Sequence, residues 1–316
     1  MIQCVRREVW FMFPKSSNIA YTVLLIATAA GAQLSTAPVT RSLEQQIVRA
    51  DPSKYIHQKS VHAGAGAMDF HAMLGANAVE PNLIFFHRGV IPPKSGIGEH
   101  FHNKCEEMFV ILDGEGEFTI DGRTSLIKGP AGVPDRMGHA HALYNPTDKP
   151  LQWLNINVGL SKVYDNFDLG DPRLNEPLDP IPQFISFRLD TSLLRPVANM
   201  NGGTGTVQYR RALQPSVFST TWSYIDHLVI PPSSSVGPNA LPDVAEVYYV
   251  IHGNGKVTEG SETADIHEGD VLPVKLNVSK SFAASGDAPL ELMIVGVAKD
   301  MAAKDALMAI PPRRGR

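Results

Sequence analysis

Laid on itself with a shift of 139 residues, this 316-residue chain matches in one register. Ile91-Pro92-Pro93 falls on Ile230-Pro231-Pro232, Gly98 on Gly237, Glu107 on Glu246, and Gly114 and Gly116 on Gly253 and Gly255. Farther along, Pro134, Asp148, Pro150 and Leu151 fall on Pro273, Asp287, Pro289 and Leu290. A repeat of this length is a whole domain, not a small stacking unit. The chain must therefore fold as two copies of one structure.

The punctuation of each copy says what that structure is. Between Met68 and Val158, short runs rich in β-branched and aromatic residues are separated by clusters of Gly, Pro, Asp and Asn. Such runs read as strands joined by tight turns, and 26 glycines and 24 prolines suit many of them. The expected fold is all-β, with two antiparallel barrels in tandem over 67–160 and 207–299. A polar lead-in at 33–66, a Pro- and acid-rich linker at 161–206 and a tail at 300–316 complete the division.

Chemistry gathers in the first copy, between Gly98 and Asn145. His100 and His102 are one residue apart, so on an extended segment both rings project to the same side. Glu107 opens the apolar run Met108 to Leu112, which ends at the turn Asp113-Gly114-Glu115-Gly116. A strand pair later come His139 and His141, again two apart. Three imidazoles and a carboxylate from neighbouring strands make a nitrogen and oxygen site for a divalent transition metal. Glu106 and His139 are the alternatives to Glu107 and His141 in that set.

These residues resemble the cupin family. Its first motif, G-x5-H-x-H-x3,4-E-x6-G, is met by His100, His102, Glu107 and Gly114, and the end of its second, G-x5-P-x-G-x2-H-x3-N, by Gly138, His141 and Asn145. The chain departs from the pattern where no glycine stands six residues before His100, and where Arg136 replaces the proline, which falls two residues early at Pro134. The resemblance selects Glu107 and His141, and implies two double-stranded β-helix (jelly-roll) barrels, a bicupin. It also implies one divalent metal per chain (iron, manganese, nickel, copper or zinc), held by His100, His102, Glu107 and His141.

The second copy keeps only the glutamate. His100 falls on Asn239, His102 on Leu241 and His141 on Lys280, while Glu107 falls on Glu246. A carboxylate beside a leucine and an ammonium cannot hold a transition metal. Lys280 is expected to pair with Glu246 in its place, because a buried carboxylate left alone is costly. Around the first site, His87, Arg136 and His139 are the candidate catalytic residues, with Arg136 able to grip a substrate carboxylate bidentately. On the strand after Leu151, Trp153, Asn155 and Asn157 share one face and suit a pocket.

At the N-terminus, Arg6, Arg7 and Lys15 precede an apolar run from Ile19 to Ala30 and the small residues Ala30-Gly31-Ala32. This reads as a signal peptide at 1–32, with Met12 an alternative start, and the run is too short to span a bilayer comfortably, which takes ~20 residues. The mature protein is then exported, periplasmic or extracellular, without stable membrane insertion, and of its two cysteines keeps only Cys105. A net charge of −4 leaves no basic surplus for nucleic acid. The partners expected are a small-molecule substrate and, by the family resemblance, a second copy of the chain in a homodimer. The family resemblance implies several activities, from oxygenases to plain binding proteins; the leading expectation is an enzyme, with dioxygenase-type oxidation of a small organic molecule ahead of an isomerase, epimerase or lyase acting on a sugar acid. A binding protein for a carbohydrate or organic acid is the competing class.

Overall fold

In the computed structural model, which describes residues 41–309, each half of the chain forms a barrel of two antiparallel sheets. The leader at 1–32, Cys4 and the start of the lead-in lie outside the described residues. In the first barrel the larger sheet runs Ile56–Lys59, Ala67–Leu74, Leu83–Ile91, Leu151–Gly159, Cys105–Ile111, Ala131–Asp135 and Phe187–Arg188 in spatial order. The smaller runs Phe167–Asp168, Gly96–Phe101, His141–Tyr144, Glu115–Ile120 and Arg123–Lys128. The last long strand inserts between two earlier ones, as a jelly roll requires. Among the described residues no helix is long and apolar enough to cross a membrane.

The repeat seen in the sequence carries into the strands. Leu83–Ile91 answers to Trp222–Ile230, Glu115–Ile120 to Asn254–Glu259, and Leu151–Gly159 to Leu290–Ala298, each pair separated by the same shift. The correspondence reaches farther towards the N-terminus of each copy than the barrel limits read from sequence. Ile56–Lys59 answers to Arg195–Ala198, and each pairs with the following strand of its own barrel. Both lay in segments read as lead-in and linker. Ile56–Lys59 is exposed along its whole length, so no apolar alternation marks it.

The two larger sheets face each other. Cys105–Ile111 shows how: Met108 and Val110 enter a shared apolar layer with Ala245, Val247, Tyr249 and Ile251 of the second barrel, while Phe109 and Ile111 enter the first barrel's own core. Successive side chains point to opposite faces of a strand, so one strand serves two cores. Val247 lies in the shared layer, whereas Leu241 packs within the second barrel. At the edge of the layer Glu106 is buried and accepts hydrogen bonds from Ser219 N at 2.7 Å, Thr220 N at 2.8 Å and Thr220 Oγ1 at 2.7 Å. Lys304, on the helix Met301–Ala309, donates to the carbonyls of Phe218 and Thr220 in the same loop.

The segment read as a linker is fastened to the first barrel. Phe167–Asp168 pairs with Phe101 and His100, the Asp165 carboxylate accepts from Asn103 N and Lys104 N at 3.1 Å each, and Asp179 makes a two-pronged ion pair with Arg123. Inside the second barrel, Lys280 Nζ stands 2.7 Å from Glu246 Oε2, both side chains buried, as the aligned sequences predict. The hydroxyls of Tyr224 and Tyr248 also donate to Glu246, at 2.7 and 2.6 Å.

Two stability measurements follow from these contacts. Lys280→Met strands a buried carboxylate and is expected to lower stability by about 3–5 kcal/mol in chemical denaturation, with most of the loss recovered by adding Glu246→Gln. Glu106→Ala leaves buried donors of the second barrel unmet and is expected to cost about 3 kcal/mol. An unchanged denaturant midpoint in either variant would show that the contact contributes nothing.

Candidate metal centre

Strand pairing assembles the four residues. His100 sits opposite His141 across the smaller sheet, beyond an irregularity in register after Ile97. His102 follows just past the end of the same strand. Glu107 reaches in from the larger sheet, on the face of Cys105–Ile111 opposite to Glu106. All four are 0–1 % exposed. From Glu107 Oε2 the Nε2 atoms of His100, His102 and His141 stand at 3.3, 3.1 and 3.0 Å, and one ligand atom from each residue lies within 4.8 Å of all the others.

The other nitrogen of each ring is engaged by backbone. His100 Nδ1 is 2.9 Å from Gly98 O, His141 Nδ1 is 3.3 Å from His139 O, and His102 Nδ1 bonds to Asp165 O. A carbonyl only accepts, so each Nδ1 carries a hydrogen, and a ring in its neutral form turns an Nε2 lone pair inward. Three lone pairs and a carboxylate facing one point repel one another unless a cation lies among them. Where protons take that cation's place, Nε2–H groups face the carboxylate: burial opposes the charge on Glu107, but hydrogen bonds from the three rings hold its carboxyl well below the usual carboxylate range, and His102, bonded to Cys105 and Glu107, is raised to about 11 despite its burial. Burial and the neighbouring His100 push His141 down, favouring its neutral, ligating form. The donor set fits a divalent transition ion.

A cavity of about 430 Å³ opens above the cluster. Its walls include Val61, Met68, Phe70, Phe85, Ile97 and Phe109, and its polar groups come from Gln58, His62, His87, Asn155, Tyr164 and Asn166. Among the described residues that line it, none is Lys or Arg. His87 stacks on Phe85 with ring centres 4.1 Å apart, and burial pushes its imidazole down to about 4. Asn155 lines the cavity as its strand position predicts, whereas Trp153 fills the barrel core.

Two candidates from the sequence fall elsewhere. His139 precedes the strand His141–Tyr144, in a turn through Gly138 at φ +77°, where two-residue alternation does not apply. Its ring turns outward and bonds to Asp121 at 2.6 Å, so only its carbonyl serves the site. Arg136 follows the strand Ala131–Asp135, is exposed and does not line the cavity. The neighbour that does face inward is Asp135, opposite Glu107 in register; burial and that glutamate push its carboxyl well above the usual range. Sequence reasoning missed Asp135, His62 and Tyr164, because the two motifs contain none of them. Cys105 lies behind His102, its thiol 3.6 Å from Asp165 Oδ1, outside the four-atom cluster.

The cupin-domain family Cupin_2 matches residues 87–157 and again residues 226–296. An oxalate-binding protein from Thermotoga maritima is 28 % identical over 99 residues, covering 31 % of this chain and 82 % of that one. Oxalate decarboxylase from Bacillus subtilis superposes with a TM-score of 0.56 at 16 % identity, over 83 % of this chain and 77 % of that one. A salicylate 1,2-dioxygenase from Pseudaminobacter salicylatoxidans does so with a TM-score of 0.52, also at 16 % identity, over 75 % and 76 %. At such identities the structures share the fold. The two family matches stand apart by the same shift that relates the barrels strand for strand, and the chain thus belongs to the cupin superfamily as a two-barrel member.

Proposed function

We propose that this protein is an exported, metal-dependent bicupin enzyme whose first barrel oxidises a small, oxygen-bearing aromatic or enolic molecule in the manner of a dioxygenase. The observation that carries this reading is the charge balance of the cavity. A divalent ion among three neutral imidazoles and one carboxylate retains a single positive charge, and no lysine or arginine adds another. A phenolate or enolate monoanion neutralises that charge; a small dicarboxylate leaves a buried negative charge without a partner. The aromatic and aliphatic walls match a flat apolar body and exclude water from it.

His100, His102, Glu107 and His141 would hold the ion, which when redox-active supplies electron transfer to O2 and otherwise polarises a bound oxygen. Around it the chain keeps His87 uncharged beside Phe85 and positions Asn155 as an amide that can meet a substrate oxygen. The second barrel, with Lys280 and Glu246 paired, serves as scaffold. A binding role without turnover is the second reading, favoured by the oxalate-binding relative that matches 99 residues.

The test joins metal content to O2 uptake. Protein purified from its own host is expected to carry close to one equivalent of iron, copper, nickel or manganese and to consume O2 with flavonols, catechols or diketones. His100→Ala combined with His102→Ala should reduce both by more than tenfold. Metal-dependent binding with no uptake on any of these substrates would establish the binding role instead. Export rests on the leader read at 1–32. The mature protein is expected outside the cytoplasm with Gln33 as its first residue, and N-terminal sequencing that begins at Met1 or Met12 would refute it.

A further inference from the structure

We propose that His62 and Tyr164, neither of them in the metal-binding set, together hold a hydroxyl group of the substrate beside the metal centre, His62 Nε2 accepting its hydrogen and the Tyr164 hydroxyl donating to its oxygen. The inference rests on the reading of the cavity as a site for a metal-chelating phenol or enol. His62 lies flat on His100, with ring centres 3.7 Å apart and planes within 9°. Tyr164 packs against the ring of His102 at 5.1 Å. Each is therefore seated on a ligand ring, and both line the cavity.

The hydrogen-bonding roles follow from their neighbours. His62 Nδ1 is 2.5 Å from Asp168 Oδ1, which also accepts from Asn166 Nδ2 at 3.0 Å. An ionised carboxylate only accepts, so in the neutral ring the hydrogen is on Nδ1 and the lone pair on Nε2. That Nε2 lies 3.5 Å from the Tyr164 hydroxyl, too far for a strong bond between them. An acceptor and a donor thus stand side by side with capacity to spare. One hydroxyl placed between them satisfies both, so a chelating substrate can keep one oxygen protonated while the other carries the single negative charge the site accommodates.

The second copy of the repeat supports a ligand role for His62. Ser60, His62 and Ala63 adopt φ of 48°, 50° and 60°, and the aligned Asn199, Asn201 and Gly202 adopt 51°, 54° and 86°. Asn and Gly tolerate this region well, whereas Ser60 and Ala63 are strained there. The same turn is thus built with tolerant residues in the copy without metal ligands, and with strained ones around a histidine in the copy that has them. The turn packs closely on the ligand strand: a Cβ on Gly98, two residues before His100, would lie 2.1 Å from His62 O.

Binding of 4-nitrocatechol and of its methyl ether, 2-methoxy-4-nitrophenol, to the metal-loaded full chain tests the assignment by absorbance titration. His62→Phe keeps an aromatic ring over His100 and removes the acceptor; His62→Asn uses the residue the second copy carries at this turn. Both variants and Tyr164→Phe are expected to retain one equivalent of metal and to bind 4-nitrocatechol about tenfold more weakly. Affinity for the methyl ether, which lacks one hydroxyl hydrogen, should be unchanged by the His62 substitutions. Wild-type affinity for 4-nitrocatechol in all three variants overturns the inference and leaves the reading of the site standing. Loss of metal from both His62 variants overturns it in favour of a role in supporting His100. Failure of the wild-type protein to bind 4-nitrocatechol removes the reading of the site and the inference with it.

Discussion

Everything in this molecule depends on one strand being buried on both faces. Along Cys105–Ile111 every residue is buried, and the two-residue alternation sends Glu107, Phe109 and Ile111 into the first barrel and Glu106, Met108 and Val110 towards the second. Two adjacent carboxylates therefore meet opposite fates. Glu107 meets three imidazoles, and Glu106 meets the backbone N–H groups and hydroxyl of a loop in the other barrel. Neither is tolerable buried without such partners. The position of the metal set is thereby tied to the docking of the second barrel, since the same short backbone carries both.

The two copies solve one electrostatic problem in two ways. A glutamate projects into each barrel at the same place, and a buried carboxylate needs positive charge or donors. In the first copy the donor set calls for a metal ion. In the second, the Lys280 ammonium and the hydroxyls of Tyr224 and Tyr248 surround Glu246, occupying its lone pairs with hydrogen bonds. The first arrangement has a cavity beside the charge, whereas in the second two tyrosines pack directly against it.

The connection between the barrels contributes to the site. Asp165 caps the turn after His102 and bonds to that ring, Asp168 orients His62, and Tyr164 closes the wall of the cavity. Its composition of proline, acidic residues and scattered apolar groups reads as a tether because the segment pairs with the smaller sheet over no more than Phe167–Asp168 and an isolated bridge at Leu178. Such short pairing leaves no period in the sequence.

The sequence by itself determined the fold class, the duplication, the clustering of His100, His102, Glu107 and His141 and the exchange of His141 for Lys280, because each depends on spacing within a strand or on a register that survives alignment. Its errors lie where spacing loses its meaning. His139 shares a parity with His141 but stands in a turn, so its ring faces Asp121; Arg136 stands one residue beyond the end of its strand and meets solvent. Ile56–Lys59 and Arg195–Ala198 bury too little to show an apolar face. His62 is 38 residues before His100 and reaches it only through a left-handed turn clamped on Gly98, and Tyr164 arrives from the connecting segment. Only the tertiary structure decided what lines the cavity, because its walls come from segments that no local periodicity relates and that closure of the barrel alone brings together.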